Sequence, residues 1–187
     1  MFRLKRISHN ISLVASTGFK LHYVKIKTCK EDLKAGLKKI FLKGIELMMK
    51  LQDFLIVKDD FIQEAIDFGA NCPVKKIALS TDIDSIKNLD ELIEILKGLY
   101  QKGMMSDEVA WEIAIKLGVL LGEMIINEGN YKWVINEDDL PVVEAVNGNQ
   151  LSPIIKIYKI IRSNDDSEGK PSDFYYNFIM LNLKTEF

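Results

Sequence analysis

The spacing of apolar residues predicts helices over most of the chain. Apolar side chains recur every three to four residues in several stretches, which is the period of a helix with one buried face. Capping residues and glycines mark where these stretches begin and end. The predicted helices cover about 31–56, 59–69, 88–103, 106–129, 153–161 and 172 onwards, with Ser106, Ser152 and Ser172 as N-caps.

Shorter segments carry the alternation and branched side chains that are typical of strands. Residues 11–15 and 19–26 predict an N-terminal hairpin, and residues 77–79 predict a short strand. Residues 133–135 and 142–146 predict a second hairpin near 132–146, followed by the tight-turn dipeptide Asn147-Gly148. The predicted fold class is α+β and mainly helical, with about five or six helices and a small β-sheet built from the two hairpins.

Length and composition predict one globular domain over residues 1–187. A chain of 187 residues with 48% apolar and 28% charged residues can bury a substantial core. No linker or repeat divides it. The polar stretch 163–171 holds both glycine and proline and predicts a flexible loop.

Charge and motifs narrow the classes of function. The formal net charge of −2 does not favour a bulk nucleic-acid binder. Cys29 and Cys72 have no paired metal spacing, and the chain lacks the glycine-rich phosphate loops, the H-E-x-x-H helix and the G-x-S-x-G elbow. We therefore predict no catalytic residue, metal or cofactor. The sequence also predicts neither an export signal nor a transmembrane segment, which favours a cytoplasmic location.

The first thirty residues are basic. They contain seven lysines and arginines and no Asp or Glu. Lys20, Lys25 and Lys27 on the predicted hairpin could bind an anion such as nucleic acid or an acidic lipid surface. The alternative is a solvated hairpin face whose lysines protect an edge strand. No known nucleic-acid-binding motif accompanies these residues, so nucleic acid is not the favoured partner.

Four small residues follow one another at a spacing of four along the helix predicted over 106–129. They are Ala110, Ala114, Gly118 and Gly122. Two glycines inside a helix cost about 1 kcal/mol each, and close approach of another backbone is the usual compensation. The pattern predicts tight packing inside the core, or alternatively a homodimer contact or a groove for a partner.

Acidic and aromatic residues gather around the second hairpin. Glu123 lies a short distance before Trp133 in the sequence, and Glu137, Asp138 and Asp139 form an acidic loop between the two strands. These five residues predict a partner-binding surface. The alternative is a small enzyme in which Glu123 works with Asp138 or Asp139, because paired carboxylates can perform acid–base chemistry or bind a hard cation.

The last eighty or so residues carry a resemblance. The run Leu117-Gly-Val-Leu-Leu-Gly-Glu-Met124, followed by Trp133 and by Pro141-Val-Val143, resembles small bacterial domains of unknown function with an L-G-x-x-L-G-E helix and a tryptophan strand. The resemblance implies an accessory or immunity-like role and no catalytic residue. The leading prediction is therefore a non-catalytic, protein-binding, cytoplasmic bacterial protein.

Overall fold

The fold was analysed in a computed structural model that describes residues 51–183. Within that range five α-helices surround a small three-stranded antiparallel sheet, which confirms the α+β, mainly helical fold class. The predicted N-terminal hairpin lies outside the described residues. The elements are α1 (Leu51–Ala70), a 3₁₀ turn (Ile83–Ser85), α2 (Ile86–Gln101), α3 (Asp107–Asn127), β1 (Tyr131–Ile135), β2 (Pro141–Ala145), β3 (Gln150–Leu151), α4 (Pro153–Arg162) and α5 (Pro171–Leu183).

Helix α1 runs without a break through the point where two separate helices are predicted. The prediction of one helix ending near residue 56 and another starting at Asp59 or Asp60 is wrong. Phe54 and Ala65 are buried on the same helical face, so a continuous apolar stripe keeps the helix intact. Asp59 instead accepts a hydrogen bond from Lys58 at 2.8 Å on the outside of the helix.

The segment after α1 buries two apolar side chains at its end, yet it is not a strand. Ile77 donates its main-chain N–H to the carbonyl of Gly69 at 2.9 Å, and both Ile77 and Leu79 are buried. Gly69 has no side chain to hold the segment away from the helix end. The predicted strand over 77–79 is therefore wrong, because its branched side chains pack against α1 and its backbone joins no ladder.

Helix α3 is the centre of the fold. It packs against α1, α4 and the sheet, and about half of its residues are buried. Ser106 caps it as predicted, accepting a hydrogen bond from the N–H of Val109 at 3.4 Å, while Asp107 and Glu108 occupy the first turn where the helix dipole favours negative charge. No helix within residues 51–183 is both long and apolar enough to cross a membrane.

The sheet is a meander with strand order β1, β2, β3. Trp133 pairs with Val143 and Val143 with Leu151, and all three side chains are buried in the core beside α3. The two strands predicted near 132–146 are thus confirmed. Strand β3 was not predicted, because a two-residue strand is too short to show alternation.

The polar segment between α4 and α5 is tied to α2. Lys97, whose side chain is 7% exposed, donates to the carbonyl of Asp165 at 2.7 Å and to the carboxylate of Asp166 at 2.8 Å. Asp90 accepts the main-chain N–H of Ser172 at 2.9 Å, so an α2 side chain satisfies the first turn of α5. The prediction that Ser172 is the N-cap of this helix is wrong, because α5 begins one residue earlier, at Pro171. The flexibility of 163–171 stays a prediction.

Candidate functional site

The small-residue face of α3 is filled by the chain itself. Ala110, Ala114, Gly118 and Gly122 are all buried. A Cβ atom on Gly118 would lie 2.7 Å from the main-chain nitrogen of Ile154 and closer still to its Cα, and one on Gly122 would overlap the indole ring of Trp133. The tight packing predicted for this face is therefore present at Gly118 and Gly122, where α4 and β1 lie against α3, and the homodimer alternative stays a prediction.

Glu123 and Trp133 meet in the core, as their pairing in the predicted site requires. The indole N–H of Trp133 donates to Glu123 Oε1 at 2.7 Å, and the ring packs edge-on against Phe54 at a centroid distance of 4.9 Å. Trp133 is 6% exposed and the Glu123 side chain 13%. The indole ring of Trp133 therefore packs over Gly122, while its single polar group, the N–H, is satisfied by Glu123.

Lys58 completes this contact from α1. Its ammonium nitrogen lies 3.3 Å from Glu123 Oε1 and 2.8 Å from Asp59 Oδ1. Burial acts to lower the pKa of Lys58, but the hydrogen bonds to these two carboxylates and their charges outweigh it, so the pKa lies above its ordinary value. Glu123 is therefore neutralised by a cation from another helix. Sequence reasoning missed Lys58, because nothing local joins it to Glu123.

The acidic loop is a shaped turn at the tip of the hairpin. Asn136 Oδ1 accepts the main-chain N–H groups of Asp138 at 3.1 Å and Leu140 at 2.9 Å, and the N–H of Asp139 donates to the Asn136 carbonyl at 3.1 Å. Asp139 takes a left-handed φ of 58°, which Asn and Asp tolerate better than most residues. Asn136 was missed as an organising residue, although an Asn opening a turn is a known sequence pattern.

The carboxylates of the acidic loop point into solvent. Glu137, Asp138 and Asp139 are exposed, and none of them makes an ion pair with the described part of the chain. Among residues 51–183, no three His, Cys, Asp or Glu side chains are grouped so that they could hold a metal ion. The structure thus places Glu123 inside and the acidic loop outside, rather than in one catalytic cluster.

Two concave regions of the described surface lie elsewhere. An open groove of ≈ 550 Å³ follows α4 and is lined by residues including Tyr158 and Arg162, and a cleft of ≈ 190 Å³ surrounds Lys97. Neither is lined by Glu123, Asp138 or Asp139, which the enzyme alternative requires.

The groove along α4 is bordered by a cluster that sequence reasoning did not find. Arg162 lies 3.0 Å from Asp107 Oδ1, and its guanidinium stacks over the ring of Tyr158 at 5.1 Å. The hydroxyl of Tyr100 donates to the same Asp107 oxygen at 2.6 Å. These contacts neutralise Arg162 and Asp107 against each other. The residues come from three different helices, so no local pattern could have predicted the cluster.

The basic N-terminal residues Lys20, Lys25 and Lys27 lie outside the described residues, and their anion-binding role stays a prediction. No protein-family model, curated protein or solved structure matches the chain. The resemblance of the α3–β2 region to small bacterial domains likewise stays a prediction.

Proposed function

We propose that this protein is a non-catalytic binding protein whose acidic loop docks on a basic surface of a protein partner. The observation that carries the proposal is the contrast between two sets of carboxylates. Glu123 is largely buried and paired with Lys58, whereas Glu137, Asp138 and Asp139 are exposed and make no ion pair within residues 51–183. The proposal includes the cytoplasmic location and the accessory or immunity-like role implied by the resemblance.

The shape of the acidic loop supports this proposal. The hydrogen bonds that Asn136 Oδ1 accepts fix the backbone that carries the three carboxylates. A preformed loop loses less conformational entropy on binding than a disordered one does, so more of its interaction energy appears as affinity. The three like charges also create a local negative field that speeds encounter with a basic surface.

The way in which the hairpin is held supports the proposal as well. Trp133 in β1 is wedged against Gly122 and hydrogen-bonded to Glu123, two positions that both belong to the central helix α3. The acidic loop begins directly after β1 ends at Ile135. A rigid scaffold that presents a short variable loop is a common arrangement for recognition.

The experiment begins with affinity capture of the partner by the full chain, and then measures the dissociation constant with the purified partner at several salt concentrations. The test variant is E137Q/D138N/D139N. The matched control is D53N/D84N/E112Q, which removes the same amount of charge at exposed carboxylates on other elements. The control separates the local effect of the loop from a change in net charge.

We expect the loop variant to bind on the order of tenfold more weakly at low salt, because three exposed ion pairs contribute about 0.2–1 kcal/mol each. Its affinity should also depend less on salt, since fewer charges are screened. The control variant should bind like the wild type. Equal affinities for the loop variant and the wild type, or failure of the full chain to capture any partner, would refute the proposal.

A further inference from the structure

The turn between β2 and β3 contains an Asn-Gly pair whose reactive groups are all hydrogen-bonded. Asn147 donates its side-chain amide to Asn182 Oδ1 at 2.9 Å, and Asn147 Oδ1 accepts the main-chain N–H of Asn149 at 3.0 Å. The main-chain N–H of Gly148 donates to the carbonyl of Ala145 at 2.9 Å. Gly148 has a φ of 82°, which glycine adopts without strain.

Asn-Gly pairs have an intrinsic chemistry that this arrangement must restrain. The main-chain nitrogen after an asparagine can attack the side-chain carbonyl carbon Cγ, lose its proton and expel the side-chain nitrogen as ammonia. The resulting five-membered imide then takes up one water, and either of its two carbonyl carbons can be opened. The net change is amide plus water to carboxylate plus ammonium, and the product is aspartate or isoaspartate. A glycine in second place leaves the attacking nitrogen unhindered.

We propose that Asn147 is a deamidation site which the fold keeps closed through Asn182 of helix α5. Attack requires Gly148 N to leave Ala145 and the Asn147 side chain to swing away from both of its partners. Asn182 is itself 7% exposed and fixed, since its own amide donates to the carbonyl of Phe178 at 2.8 Å. The reaction at Asn147 therefore waits for the last turn of α5 to open.

Deamidation would in turn release α5. Asn182 Oδ1 accepts from Asn147 and also from the side-chain amide of Asn149 at 3.1 Å. Once Asn147 is a carboxylate it has no proton to donate, so its oxygen faces the oxygen of Asn182. Two oxygens facing each other repel, which weakens the contact even though Asn182 still accepts from Asn149, and the end of α5 should separate from the turn. The site is thus a one-way conformational switch that is independent of the acidic loop.

The test follows deamidation at residue 147 by peptide mass spectrometry during incubation of the full chain at mildly alkaline pH. The wild type is compared folded and unfolded in urea, and with the folded variants Asn182→Ala and Asn149→Ala. Asn149→Ala is the matched control, because it removes the other donor to Asn182 while the main-chain N–H of residue 149 can still bond Asn147. Circular dichroism establishes that each variant is folded.

We expect the folded wild type to react at least tenfold more slowly than the unfolded chain, and Asn182→Ala on the order of tenfold faster than the folded wild type. Asn149→Ala should react much more slowly than Asn182→Ala. Equal rates for folded and unfolded wild type would overturn the proposal even if Asn182→Ala does not fold. A folded Asn182→Ala variant that reacts no faster than Asn149→Ala would overturn it too.

Discussion

The glycines of the helices offer a direct test of how the core is built. Gly118 in α3 and Gly98 in α2 both lie inside helices, and replacing either with alanine gains about 1 kcal/mol of helix propensity. The two positions differ in their surroundings. A Cβ at Gly98 meets no heavy atom within 4 Å, whereas one at Gly118 falls 2.7 Å from the nitrogen of Ile154.

The magnitude for Gly118→Ala follows from that distance. Comfortable contact for a carbon atom is about 3.5–4.0 Å, so the first turn of α4 would have to move by about 1 Å. Overfilling a packed core costs about 1–3 kcal/mol, and α4 is held on its other side by α2. After subtraction of the propensity gain, Gly118→Ala should destabilise the fold by up to about 2 kcal/mol.

Gly98→Ala should instead stabilise the fold by about 1 kcal/mol, which leaves a gap of about 1–3 kcal/mol between the same substitution at two helical sites. For a chain of this size the gap corresponds to about 2–12 °C in Tm. Thermal unfolding and urea titration would measure it, with an unchanged urea m-value showing that the unfolded state is not responsible. A Gly118→Ala variant as stable as Gly98→Ala would refute the close approach of α4 to α3.

Three further predictions concern single hydrogen bonds. Ser106→Ala should lose about 1 kcal/mol in urea unfolding, because the N–H of Val109 loses its cap, and Ser106→Asp should restore most of it. Trp133→Phe keeps an aromatic side chain but removes the N–H that Glu123 accepts together with part of the indole that packs over Gly122, so it should cost at least about 1–3 kcal/mol by the same measurement. Lys97→Met should destabilise the fold by about 2 kcal/mol near neutral pH. The hydrogen bond to Asp166 raises the pKa of Lys97 above its ordinary 10.5, so the lysine stabilises fully below that pH, and the gap between wild type and Lys97→Met should narrow as alkaline titration passes through the raised pKa. A gap that stays constant through that range would contradict the assignment.

The parts of the fold that can be predicted from the sequence are those in which apolar residues follow a local pattern. Helices α2 and α4 appear close to their predicted bounds because each has one apolar face that the core must cover, whereas α3 does so because a serine cap begins its long apolar run. The β1–β2 hairpin is found because two runs of strand-forming residues flank a polar loop.

The errors come from decisions made by tertiary contacts. The charged pair at Asp59 and Asp60 looks like a helix start, but burial of Phe54 and Ala65 on one stripe carries α1 straight through it. The run 77–79 has strand formers and finds a helix end rather than a neighbouring strand. Local propensity cannot distinguish one continuous helix from two, or a segment packed on a helix end from a strand, because the alternatives bury the same side chains.

The candidate site was predictable only in part. The short separation along the sequence correctly associates Glu123 with Trp133, whose indole N–H donates to Glu123. It cannot supply Lys58, which reaches Glu123 from a different helix, nor show that the acidic loop points outward. Ion pairs between distant segments produce no repeating pattern in the sequence. The fold therefore determines whether a carboxylate is paired within the chain or available to a partner.

Helix α5 depends on residues that are made long before it. The carboxylate that accepts the N–H of Ser172 in its first turn belongs to Asp90, 82 positions earlier, and the ring of Phe178 packs against that of Tyr131. On a ribosome adding about 5–20 residues per second, the interval between Asp90 and Ser172 is on the order of ten seconds. Until α5 is made, the part of the core that Tyr175 and Phe178 cover stays open to water. A chain that still lacks α5 therefore exposes apolar surface to aggregation, and translational pausing ahead of residue 171 would lengthen that exposure.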